Sequence, residues 1–228
     1  MNKIISLKKI SKIYYSKNNI KALSNINFEF RSGKTYSIVG PSGSGKSTLL
    51  NILSLIDKPS SGSMNLDNEK INFDENDIND QKRAKKIGII YQNYNLLPDF
   101  TALENVYLAG LASGKNLNDS KSNAKKIITS LGLLNRIYHY PSELSGGENQ
   151  RIAIARALIN QPKIILADEP TGNLDHVAAK NVFKILLNLK KNNRIIIFAT
   201  HNREFSKMSD CKIEMIDGKI TSVNAKFK

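Results

Sequence analysis

The 228 residues include 40% hydrophobic side chains, enough to fill a core, and carry a formal net charge of +14; this excludes an intrinsically disordered chain. The longest apolar runs, such as Ile195–Ala199, are strand-sized and far short of the ~20 residues that cross a bilayer. The one cysteine, Cys211, excludes an internal disulfide and suits a reducing compartment. The length fits one large domain, or a core with a smaller lobe. An excess of positive charge can mark nucleic-acid or anionic-membrane partners. Here the basic residues are scattered and form no long block, as a general Lys/Asn/Ile bias would produce. The Met1–Ile5 segment is interrupted by Ser6, Lys8 and Lys9, too soon for a signal-peptide core.

In chain order, residues 3–39 read as strands. Ile20, Leu23, Ile26, Phe28 and Phe30 are spaced for a sheet with local irregularity, Arg31–Lys34 forms a turn, and Thr35–Val39 is a short buried strand. A glycine-rich loop leads into a helix from Lys46 to about Ile56, and Pro59–Gly62 is a turn. Residues 67–82, rich in Asn and Asp, read as a surface loop with one short strand. Ile87–Tyr91 is a strand. From 93 to 143 the spacing becomes helical at Leu103–Leu111 and Ala124–Leu131, joined by a polar link: a helical lobe inserted in the main domain. Gly147–Ile159 is a helix, Lys163–Ala167 a buried strand, Val177–Leu189 a helix and Arg194–Thr200 a buried strand. A last hairpin turns at Asp217-Gly218. Alternating strands and helices predict a mainly parallel sheet wrapped by helices.

Gly40-Pro41-Ser42-Gly43-Ser44-Gly45-Lys46-Ser47 fits the phosphate-loop pattern, with a strand entering and a helix leaving. The glycines let the backbone turn its N–H groups inward, and the helix N-terminus favours an anion. Lys46 would neutralise the outer phosphates of a nucleotide, the Ser47 hydroxyl would ligate Mg²⁺, and Thr48 would reach a phosphate. The apolar run Lys163–Ala167 ends in Asp168 and Glu169 at the strand edge where open sheets bind ligands. Asp168 would hold Mg²⁺ through water and Glu169 would polarise an attacking water. Leu144-Ser145-Gly146-Gly147-Glu148-Asn149-Gln150-Arg151 makes a second helix tip able to bind an anion, and Ser145 with Glu148 is also a capping box. Two such tips in one chain suggest a site shared between two copies.

These motifs, in their order and spacing, closely resemble those of the ATP-binding-cassette ATPases, over nearly the whole chain. The resemblance implies an α/β fold: a P-loop NTPase core with a mixed, mainly parallel sheet, an N-terminal antiparallel β region and an inserted α-helical subdomain. It divides the chain as a single nucleotide-binding domain, with 1–92 and 151–228 as core and 93–150 as the helical subdomain carrying the Leu144–Glu148 signature. It implies ATP and Mg²⁺ as cofactors. Gln92 would be a metal or water ligand that senses the helical lobe, Asp175 within Gly172–Asp175 would lie on a loop crossing the dimer interface, and His201 would contact the γ-phosphate. Tyr14 would stack on adenine, with Tyr15 the alternative ring. Gln92–Pro98, Thr101–Val106 and Ala167–Asp175 look like the branch of lipoprotein-release, macrolide-export and antimicrobial-peptide-resistance ATPases. Asn149 departs from the glutamine usual there. The implied partners are a second, identical cassette and separate transmembrane permease subunits, with no nucleic acid, on the inner face of the cell membrane. Two other functions fit the same motifs: a cell-division ATPase of that branch, which transports nothing, and a soluble ATPase acting on nucleic acid or ribosomes.

Overall fold

The computed structural model describes residues 3–15, 19–190 and 193–227; Met1 and Asn2 of the N-terminal segment lie outside the described residues. Strands β1 (Lys3–Tyr14), β2 (Ile20–Arg31) and β3 (Thr35–Val39) lead to helix α1 (Lys46–Leu53). Then come β4 (Ser61–Leu66), β5 (Glu69–Lys70), α2 (Asn76–Lys86) and β6 (Ile87–Ile90). Helices α3 (Ala102–Ala112), α4 (Leu117–Ser130) and α5 (Gly146–Leu158) follow, with short 3₁₀ turns at Leu134–Arg136 and Pro141–Glu143. The chain continues through β7 (Ile164–Asp168), α6 (His176–Asn188), β8 (Ile195–Ala199), α7 (Arg203–Met208), β9 (Cys211–Ile216) and β10 (Lys219–Ala225).

The chain divides into two compact units, Met1–Asp80 with Leu187–Lys228, and Gln81–Leu186. In the first, β2, β1, β4 and β5 form an antiparallel sheet in that order. The irregular spacing read in β2 corresponds to register shifts along β1/β2, where Lys9 and Asn25 take positive φ. Beside this sheet, β3 runs parallel to both β8 and β9, and β9 turns antiparallel into β10 through Asp217 and Gly218, both at positive φ as a tight hairpin requires. Strand β8 is buried at every position, as its unbroken apolar run demands. Cys211 opens β9, 1% exposed.

In the second unit β6 and β7 pair in parallel. Helices α3, α4 and α5 close around Val106, Ala124, Ile128, Ile152, Ala155 and Ile159. Both entering helices are capped from the sequence: Thr101 and Glu104 form a reciprocal capping box on α3, and Asn116 accepts from the Asp119 amide on α4.

Five local features differ from the sequence reading. Helix α1 stops at Leu53 rather than Ile56, because Leu55 turns to φ 61° after the Ser54 cap. The turn read at Pro59–Gly62 gives way to β4 at Ser61, which pairs with Ser11. Helix α4 begins at Leu117, inside the segment read as a link, because Asn116 acts as a helix start. Helices α2 and α7 were not foreseen. The first buries only Asn79 and so carries no apolar period; it is supported by Asp77 in its first turn and three basic residues in its last. The second is a six-residue turn capped by Asn202.

Candidate nucleotide site

In the first unit the phosphate loop leaves β3 and folds over onto α1. Gly45 caps that helix at φ 95°, and a Cβ there would lie 2.5 Å from the Ala22 carbonyl oxygen, so the position requires glycine twice over. The loop is fastened to the terminal hairpin, since the Gly218 amide donates to the Ser44 carbonyl at 3.1 Å and the Ser24 amide donates to the Gly218 carbonyl at 2.8 Å. Lys46 is buried, and its Nζ donates to the carbonyls of Gly40 and Pro41, each at 2.9 Å. The ammonium therefore lies across the mouth of its own loop. Pro41, Ser42, Gly43 and Ser47 are exposed along the rim, and Thr48 is half-buried. His201, exposed after β8, joins Gly40 and Pro41 in lining a cavity of about 540 Å³.

Tyr14 sits at the end of β1. Its hydroxyl donates to Asp57 Oδ2 at 2.8 Å, and the Thr48 side chain is its other hydrogen-bonding neighbour. Burial and the Asp57 carboxylate both raise its phenolic pKa. The alternative ring, Tyr15, is 77% exposed.

In the second unit, β7 ends at Asp168, and Glu169 follows at φ 45°, a conformation rare for a residue with a side chain. The turn beyond is closed by the Gly172 amide donating to the Glu169 carbonyl at 3.0 Å. Asn173 ties two predicted segments together. Gln92 Nε2 donates to its Oδ1 at 3.4 Å, and its Nδ2 donates to the Asn93 Oδ1 at 2.9 Å.

Ser145 caps α5. The Ser145 amide donates to Glu148 Oε2 at 2.8 Å, and Glu148 Oε1 pairs with Arg136 at 3.0 Å. The backbone bond from Ser145 and the Arg136 guanidinium hold the Glu148 carboxyl below its ordinary value. Leu144 is buried in the helical core. Asp175 is likewise a cap, accepting from the Val177 and Ala178 amides at 2.9 Å each. Ser145, Gly146 and Gly147 share a groove of about 380 Å³ with Asn173, Leu174 and Asp175.

Sequence reasoning passed over three residues. Arg156, near the end of α5, donates to the carbonyls of Tyr94 and Asn95, whose positive φ values make the bend after Gln92. Burial lowers the pKa of this guanidinium. Lys12 and Asp57 surround Tyr14. None belongs to a motif, and only the alternation of β1 could have drawn attention to an inward lysine at position 12.

A phosphate loop, acidic strand end and capped glycine tip, on an α/β fold with an added antiparallel sheet, define a nucleotide-hydrolysing cassette. The sequence matches the family described as ABC transporter over residues 23–172, and the chain belongs to that family as an ATP-binding, ATP-hydrolysing domain. It is 46% identical over 211 residues to the lipoprotein-releasing system ATP-binding protein LolD of Rickettsia bellii, covering 92% of this chain and 93% of that one. To an uncharacterised ABC transporter ATP-binding protein of Thermotoga maritima it is 40% identical over 224 residues, covering 98% and 96%. Among solved structures, the dimeric ATP-binding cassette MJ0796 in a post-hydrolysis state bound to ADP and Pi superposes with a TM-score of 0.91 at 35% identity, covering 99% of this chain and 100% of that one.

Proposed function

We propose that two copies of this chain close around Mg-ATP and that the closure drives a separate membrane permease of the lipoprotein-releasing type. The observation that carries this reading is the pair of anion-presenting helix tips, one in each unit: the Gly45-capped start of α1 and the Ser145-capped start of α5. In a head-to-tail dimer the second tip of one copy meets the phosphates held by the first tip of the other. Each charge-assisted hydrogen bond to phosphate contributes ~1.5–3 kcal/mol, so a few per site hold the pair shut. The dimeric form of MJ0796 and the likeness to the lipoprotein-releasing LolD proteins support the same reading.

Within it, Lys46 and the N–H groups of the Gly40–Thr48 loop bind the phosphates, Pro41 shaping the turn without an N–H of its own, Tyr14 stacks on the base, and His201 reaches the γ-phosphate. Glu169 orients and polarises the attacking water. Ser47, Gln92 and Asp168 present hydroxyl, amide and carboxylate oxygens, the hard donor set that Mg²⁺ prefers, with Asp168 acting through water. Bound there, the ion would neutralise phosphate charge during transfer. Asp175 lies at the dimer face, and residues 93–150 carry the motion to the permease. No helix of the described residues is long and apolar enough to cross a membrane. In this reading the permease is a separate chain, as the likeness to the LolD ATP-binding proteins supports, and this chain is peripheral to it.

Light scattering on Glu169→Gln tests the scheme. With Mg-ATP the variant should run as a dimer and without nucleotide as a monomer; a monomer in both conditions contradicts it. Recovery of the native chain with a membrane fraction, rather than with ribosomes or DNA, tests the permease assignment.

A further inference from the structure

We infer that Lys12 and Asp57 are positioning residues that hold the Tyr14 ring as a preset platform for the base of a nucleotide. The inference rests on the reading of Gly40–Thr48 as the nucleotide's phosphate site and assigns a recognition role to residues outside every motif.

Tyr14 is 39% exposed at a strand end, where an aromatic ring would ordinarily turn freely. Here it is fixed at both ends. Its hydroxyl donates to Asp57 Oδ2 at 2.8 Å, while Lys12 Nζ stands 4.8 Å from the ring centroid and so covers one face. Lys12 is itself held by Asp57 Oδ1 at 2.5 Å and by the Lys58 carbonyl at 2.8 Å. The side chains of this ion pair are only 11% and 23% exposed. Drawing two charges this far out of water is unfavourable, and a ring at the surface needs no such support to keep the fold.

The anchor also has a direction. The Asp57 and Ile56 amides donate to the Asn51 carbonyl at 3.1 and 3.0 Å, so the segment bearing the carboxylate is fastened to α1. That helix begins at Lys46, and Thr48 in its first turn interacts with the Tyr14 hydroxyl. The base platform and the phosphate grip are thus referenced to one rigid element. A ring fixed in advance spares the ordering cost on binding, so its fixation should be read in affinity for the base.

The test is equilibrium titration of Tyr14→Phe, Asp57→Ala, Lys12→Met and Tyr14→Ala with two probes, Mg-ATP and Mg-triphosphate. Tyr14→Phe keeps the ring and removes the hydroxyl's contacts to Asp57 and Thr48, while of these two Asp57→Ala removes the Asp57 contact alone. The inference expects Tyr14→Phe and Asp57→Ala each to weaken ATP by up to about tenfold, the ordering cost of one side chain on binding, with Lys12→Met in the same direction. Triphosphate affinity should stay unchanged in all four. Equal weakening of both probes would mean that the cluster merely braces α1, and would overturn the inference. So would unchanged ATP affinity in Tyr14→Phe and Asp57→Ala while Tyr14→Ala loses it; the stacking role of Tyr14 would then survive without its supports. Unchanged ATP affinity in Tyr14→Ala would remove the base from this ring altogether, and the inference with it.

Discussion

Single residues in this site are held in conformations that their side chains oppose. Glu169 follows the apolar strand β7 at positive φ, which turns its carboxyl off the line of the strand. Glu169→Gln keeps that shape and removes the charge, so turnover should fall ~10²–10⁴-fold with nucleotide binding retained, measured by single-turnover hydrolysis beside a binding titration. At Gly45 the backbone leaves no room for substitution. The added carbon of Gly45→Ala would meet the Ala22 carbonyl at 2.5 Å and Leu23 Cδ2 at 2.9 Å, at a φ of 95°. The variant should lose ~1–3 kcal/mol or more in thermal unfolding and bind ATP poorly. These positions were legible in the sequence because their chemistry is written in short spacings. Lys12, Asp57 and Arg156 were not, because each acts on a neighbour 2 to 62 positions away through contacts that only the fold creates.

Among the elements, α5 shows how one sequence pattern serves two ends. The Ser145/Glu148 pattern does cap the helix, and Glu148 is also paired with Arg136. Its folded pKa is depressed, so its stabilising contribution is full above the unfolded value near 4.5 and is lost as pH falls through the lower folded value. The melting temperature of Glu148→Gln should therefore lie below that of the parent at pH 7, and the gap should close in acid; a gap independent of pH would contradict the assignment. At the other end of the same helix, Arg156 pins the bend after Gln92. Arg156→Met should speed amide exchange at residues 93–96, consistent with loss of ~1.5–3 kcal/mol of local stability, while the β6/β7 pair stays protected. Buried strands and the helices α3 and α5 were readable because an apolar period marks them, whereas the Asn-capped starts of α4 and α7 lie in polar sequence and were not. Helix α2 escaped because a surface helix with one buried residue has no period to read.

For the whole molecule, fold class and family followed from motif order, with the added antiparallel sheet and the mostly parallel strands as expected. Less legible was how side chains divide between holding the fold and meeting a ligand: Ser145 was readable as a helix cap, but Asp175, read only as an interface residue, also accepts from the amides at the start of α6. Dimer closure under ATP should depend on such tips, so Ser145→Arg should abolish the ATP-dependent dimer of Glu169→Gln by light scattering without changing ATP binding to the monomer. The buried Cys211 bears directly on how such assemblies can be captured. Burial, with Asp210 nearby, raises its thiol to about 11, so almost none of it is thiolate at neutral pH. The native chain is thus a silent background for maleimide dyes and oxidative cross-linkers. A reporter sulfur placed at Ser42 or Val177 could be addressed selectively, with no need to strip the natural one from the sheet.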